Sequence, residues 1–229
     1  CGSSCTVDNV RTYHNGNTGL QISRFTSTDT KEEWPSNNLV LNCTSFGNAD
    51  EGYEDADGFA AKLTIGEGNV FDGCIAYNNA DDGWDLFAKV ETGSIGAVTI
   101  QNCVAYGNGY LEDGTDAGNG NGFKMGGVDN KTPGKAAHLD PLNHKLIGCT
   151  AKGNYANGFD RNNQSGVVTM KNCISDSNKG NNYHWPLTGK PSALGYKVTF
   201  GKAIIEDCTN INGKVNITGA TLKGNCKGF

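Results

Sequence analysis

The sequence is poor in proline (5 of 229 residues) and in methionine (2). It contains no run of ~18 continuous apolar residues, so no segment reads as a transmembrane helix. It lacks any CxxC pair or Cys/His cluster with zinc-site spacing, and His14, His138, His144 and His184 are scattered. Excess positive charge is also missing. The 19 Lys+Arg against 24 Asp+Glu leave a net charge of -5, which argues against a nucleic-acid or polybasic membrane-surface partner. The chain starts at Cys1 without Met or a signal-like segment, and reads as a processed chain or a fragment.

Glycine and asparagine are abundant, with 33 and 28 residues. Glycine stands at about twice its usual ~7% share. Both residues tolerate the left-handed backbone conformations of tight turns. A chain that turns so often is not a helical bundle. Its apolar content is that of a globular protein rather than a disordered one.

Aligned on its cysteines, the chain repeats. The segments NCTSFGN, GCIAYNN, NCVAYGN, GCTAKGN and NCISDSN place Asn48, Asn79, Asn108, Asn154 and Asn178 five residues after Cys43, Cys74, Cys103, Cys149 and Cys173. NVRTYHN repeats the offset with Val10 and Asn15. A second series pairs Gly with Leu or an aromatic residue: Gly19-Leu20, Gly58-Phe59, Gly83-Trp84, Gly122-Phe123 and Gly158-Phe159. Insertions at 49–57 and 109–121 delay two of these pairs. A unit of about 22–30 residues cannot bury its apolar face alone, so the copies must stack. Parallel strands ~4.8 Å apart then set like on like. The expected fold is all-β: a right-handed, single-stranded parallel β-helix with Cys, Asn and aromatic ladders inside. Residues 1–229 read as one solenoid module whose start lacks an obvious cap. Nine cysteines cannot all pair; Cys208 reads as a further rung, and a disulfide among Cys1, Cys5, Cys208 and Cys226 is open.

Function is sought where the repeat departs from its own needs. Just before the glycine of each pair, the column reads Thr18, Asp57, Asp82, Asn121, Asn157. Two residues beyond the glycine, alternation points a side chain outward, giving Gln21, Ala60, Asp85, Lys124, Asp160. Asp57, Asp81, Asp82 and Asp85 therefore converge within about two coil spacings. Their mutual repulsion calls for a bound hard cation, and Ca²⁺ suits several carboxylates around a turn. The bland alternative is a solvated acidic turn. Lys124 stacks on Asp85, where a simple salt bridge is the alternative to a functional amine.

At these residues the sequence resembles polysaccharide lyase family 9, the pectate-lyase-type β-helix enzymes. The resemblance is carried by TGLQISRF, EWPSNNLVLNCTS, EDADGFAAKL, GEGNVFDGCIAYNNADDGWDLF, GAVTIQNCVAYGNG and GNGFKMGG. It implies a secreted, monomeric, calcium-dependent lyase that cleaves polygalacturonate in pectin by β-elimination. It implies Asp57, Asp81, Asp82 and Asp85 as calcium ligands and Lys124 as the Brønsted base. Lys62, Lys89, Arg24 and Arg161 are candidate contacts to substrate carboxylates, against the alternative of solvated charges. Three other readings remain: a glycoside hydrolase, a lyase for another acidic glycan such as rhamnogalacturonan, and a non-catalytic calcium-dependent pectin-binding solenoid.

Overall fold

A computed structural model describes residues 2–89, 91–127, 143–190 and 195–229. Among these residues the strands form three stacked parallel sheets of eight, seven and seven strands. One coil runs through Asn69–Asp72, Ile75–Tyr77 and Trp84–Phe87, one strand in each sheet. The next coil lays Val98–Gln101, Val104–Tyr106 and Phe123–Gly127 on them in register, with one irregularity between Lys124 and Gly127. This is the expected right-handed parallel β-helix. Helical structure among the described residues is a single 3₁₀ turn, Lys31–Glu33, and one antiparallel pair joins Thr188–Gly189 to Val198–Thr199.

The ladders fill the interior. Asn15, Asn48, Asn79, Asn108, Asn154 and Asn178 donate in turn from Nδ2 to the next rung's Oδ1 at 2.7–3.0 Å, and the series closes on Asn182. Each Oδ1 from Asn48 onward also accepts the preceding rung's backbone N–H, so the buried amides satisfy turn backbone as well as one another. A second, shorter asparagine ladder, Asn38 on Asn69, lies under the first sheet. Asn79→Leu would take one hydrogen bond each from the Nδ2 of Asn48, the Oδ1 of Asn108 and the Ser45 carbonyl, and the acceptor of the buried Asn48 N–H. We expect a loss of about 2–4 kcal/mol, since a lost hydrogen bond costs ~0.5–1.5 kcal/mol and a stranded buried group ~1–3 kcal/mol. A denaturant melt with unchanged stability would refute it.

The aromatic ladder runs from Phe59 through Trp84, Phe123 and Phe159 to Tyr183 and Phe229, with ring centroids 4.8–5.2 Å apart. Glycine precedes the aromatic rungs because that backbone lies against the asparagine ladder. A Cβ on Gly58 would stand 2.8 Å from Asn79 Nδ2, and one on Gly83 would stand 2.5 Å from the Gly122 carbonyl oxygen. The residue before each ladder cysteine turns the chain with positive φ, and is Asn42, Gly73, Asn102, Gly148, Asn172 or Asp207. Only residues at ease in the left-handed region serve there without strain.

Cys208 extends the cysteine ladder beside Cys173, as expected. The possible disulfide is not formed among Cys5, Cys208 and Cys226, whose thiols are all free. Cys208 is buried at its rung, while Cys226 donates to the carbonyls of Ile205 and Lys223. Cys1 lies outside the described residues.

Candidate active site

The third sheet carries the site. Its strands Leu20–Ile22, Phe59–Ala61, Trp84–Phe87, Phe123–Gly127, Phe159–Asp160 and Asn181–His184 align Ala60, Asp85, Lys124, Asp160 and His184 in one column. The stacking of Lys124 on Asp85 follows from that register.

Asp57 and Asp82 stand in a third ladder, in the column just before the glycines. Asn157 Oδ1 accepts the N–H of Asn181, Asn121 Oδ1 that of Asn157, and Asp82 Oδ1 that of Asn121 at 2.7 Å. Asp57 Oδ1 accepts the N–H of Asp82 at 3.4 Å. Each aspartate thus uses one oxygen as an asparagine would, and the second oxygen is left for the site. Asp57 Oδ2 receives Lys62 Nζ at 2.7 Å and Thr18 Oγ1 at 3.1 Å. Asp82 Oδ2 lies 2.9 Å from Lys124 Nζ. Asp85 Oδ2 sits between the two ammonium groups, 3.6 Å from Lys62 and 3.7 Å from Lys124. Asp81 completes the group, its Oδ1 accepting the N–H of Asn119 from the 109–121 insertion. That insertion also reaches the 49–57 insertion, where a Cβ on Gly118 would collide with the Tyr53 carbonyl. The two insertions wall the cluster, and its aspartates are buried although their column faces outward.

Four ionised carboxylates against two ammonium groups would leave net negative charge, and burial opposes that. Burial, partly offset by Lys62, raises the Asp57 pKa to about 7. Burial together with Asp82 and Asp57 raises that of Asp81 to about 9, and burial raises Asp82 as well. Burial disfavours the Lys124 ammonium, but Asp82, Asp85, Asp81 and Asp57 outweigh it and hold the amine protonated well above the ordinary lysine value.

These residues fit a hard divalent cation. Carboxylate oxygens of Asp57, Asp81 and Asp82 lie within 4.8 Å of one another. Asp85 Oδ1 is buried without a hydrogen-bond partner, and Asp82 Oδ2 is met by the Lys124 ammonium. An all-oxygen set that includes an unpaired anionic oxygen is chemistry for Ca²⁺ or Mg²⁺, and the carboxylate-rich arrangement favours Ca²⁺.

In the metal-free fold Asp57 and Asp81 keep protons that the unfolded chain loses near pH 3.8. Their contribution to stability is therefore lost as pH rises toward about 9. A cation needs them ionised, so its binding at pH 8 should release protons, and its affinity should climb with pH up to that range. Calorimetry in buffers of different ionisation enthalpy should give buffer-dependent heats; identical heats would contradict the cluster.

The four aspartates and Lys124 are brought together as expected. Lys62, a candidate contact to substrate carboxylates, lies inside the cluster with its ammonium buried against Asp57 and Asp85. Arg24 and Lys89 line a separate groove beside the site. Arg161 is a correction. It is fully buried and cannot meet a polymer, because its guanidinium donates to the carbonyls of Gln164, Gly201 and Gly219 and lies over Trp185 and Phe200. Sequence reasoning missed the pair beyond Lys124, where His184 Nδ1 is 3.4 Å from Asp160 Oδ1. Asn182-Tyr183 takes the place of a Gly-aromatic pair there and hides the rung.

A family model described as Pel9A-like, right-handed β-helix region matches residues 1–192. The chain belongs to this Pel9A-like β-helix family. Pectate lyase L of Paenibacillus polymyxa (strain SC2) is 49% identical over 185 residues, covering 80% of this chain and 39% of that protein. A crystal structure of pectate lyase Pel9A superposes with a TM-score of 0.69 at 33% identity, covering 96% of this chain and 48% of that one. A rhamnogalacturonan lyase superposes with a TM-score of 0.76 at 25% identity, covering 95% of this chain and 52% of that one. The chain thus spans about half the length, or less, of these relatives.

Proposed function

We propose that this member of the Pel9A-like family is the catalytic region of a secreted, monomeric, calcium-dependent pectate lyase that cleaves polygalacturonate by β-elimination. The observation that carries the reading is Lys124, held in register with Asp85 and 2.9 Å from Asp82 at the edge of the carboxylate cluster. Relatives named pectate lyase support the substrate class.

The β-helix holds the cluster in place, so Asp57, Asp81, Asp82 and Asp85 would hold a cation beneath a uronate unit without rearranging the backbone. When bound there, Ca²⁺ would neutralise the uronate carboxylate, acidify the adjacent C5–H and offset the charge that keeps Lys124 protonated. Lys124 Nζ, as the free amine, takes the C5 proton. The C5–H electron pair becomes the C4=C5 double bond, the C4–O bond breaks, and the leaving oxygen takes a proton from water, while Lys124 returns the one it removed to solvent. Lys62 keeps Asp57 and Asp85 oriented. The two insertions restrict water around the amine.

Product masses test the reaction class. Oligomers cut from polygalacturonate should be one water lighter than hydrolysis products; fully hydrated products would indicate a hydrolase. The rhamnogalacturonan lyase neighbour supports a second substrate. Unsaturated products from a rhamnogalacturonan backbone, and none from polygalacturonate, would select it.

A further inference from the structure

Beyond Lys62 the chain leaves the cluster and immediately builds a second feature. Leu63, at φ 70, and Thr64 form the floor of a groove of about 290 Å³ whose walls include Ser23, Arg24, Phe25 and Lys89. The floor is fixed by neighbouring coils: the Leu63 N–H donates to the Phe87 carbonyl at 2.7 Å, the Arg24 N–H to the Thr64 carbonyl at 3.0 Å, and Thr92 Oγ1 to the Leu63 carbonyl at 3.1 Å. Phe25 is 83% exposed. Its loop is tied down, since Asp29 Oδ2 accepts the N–H groups of both Phe25 and Thr26. Among the described residues neither Arg24 nor Lys89 forms an ion pair.

A groove with an exposed ring, two unpaired cations and hydroxyl groups has the chemistry of an acidic sugar. A pyranose offers C–H bonds on one face for the ring, a carboxylate for the cations, and hydroxyls for Ser23 and Thr26. Its floor follows Lys62 directly in sequence, so a polymer seated at the carboxylate cluster can reach it.

We propose that this groove is a distal subsite for a uronate unit of the polymer, with Phe25 under the sugar face and Arg24 and Lys89 on its carboxylate. The assignment rests on the polyuronate reading of the cluster. It predicts affinity that grows with oligomer length through contacts made away from the reacting bond.

The test is binding, on a Lys124→Ala background so that nothing is cleaved. Affinities for oligogalacturonates of increasing length, with Ca²⁺ present, are measured by calorimetry for that protein and for versions also carrying Phe25→Ala or Arg24→Ala. Each added change should cost about tenfold in affinity for the long oligomers and flatten the length dependence, with the thermal midpoint of the parent retained. Phe25→Tyr should restore affinity, because it keeps the ring. An unaltered length dependence in both variants, or an equal loss at every length, would overturn the subsite. If the wild-type chain cleaves no polyuronate but the Lys124→Ala protein still binds it with Phe25-dependent affinity, the subsite stands and the lyase reading fails.

Discussion

Lys124→Ala should lose most of kcat, about 10²–10⁴-fold, the usual contribution of a positioned general base. The fold should persist, because Lys124 contributes no rung to the ladders and its strand is held by Phe123 stacked between Trp84 and Phe159. Cation affinity should be kept or increase, since the variant frees Asp82 Oδ2 and Asp85 from an ammonium. Lys124→Arg is the sharper form. Arginine keeps the charge near Asp82 and Asp85 but stays protonated. It should be nearly as inactive as alanine. Wild-type kcat in the arginine variant would make Lys124 an electrostatic group and move proton removal elsewhere.

Asp82→Asn should abolish calcium-dependent activity while leaving the architecture intact. The reason lies in the column that Asp82 occupies. Asparagine already fills the next two rungs, Asn121 and Asn157, where its Oδ1 accepts a backbone N–H. The substituted amide can keep the bond from the Asn121 N–H, at 2.7 Å in the wild type. What changes is Oδ2, the anionic oxygen that faces the Lys124 ammonium at 2.9 Å, which becomes an NH₂ that repels a cation. The wild-type thermal midpoint should rise when Ca²⁺ is added, because a ligand that binds only the folded state stabilises it. The variant's midpoint should not respond. A calcium-dependent rise of wild-type size in Asp82→Asn would remove Asp82 from the cation site.

The ladders were legible because stacking forces identical residues onto identical positions, so the Cys-to-Asn offset reports the coil directly. The four aspartates and Lys124 were legible for a related reason: they replace Asn, Ala or Gln in columns whose structural requirement is known. The double duty of Asp57 and Asp82 was not, because the offset does not reveal which oxygen a backbone N–H will claim. Lys62 read as a substrate contact because alternation gives only the face of a strand, whereas its ammonium reaches back along Phe59–Ala61 to Asp57. Arg161 misled for a complementary reason. A charge at a strand end reads as solvated, and the three carbonyls that bury it come from Gln164, Gly201 and Gly219. Of these only Gln164 is its neighbour in sequence. The Asp160–His184 pair escaped because its rung lacks the glycine that marks the others.

The central claim is that the carboxylate cluster and Lys124 form one calcium-dependent eliminating site. The most direct measurement is the ultraviolet absorbance of conjugated C4=C5 products as the chain acts on polygalacturonate, followed through one cycle of chelation and calcium return. The account predicts absorbance that grows with Ca²⁺ present, stops on chelation and resumes when Ca²⁺ is restored. Growth that continues unchanged through chelation, or new reducing ends without absorbance, would contradict it.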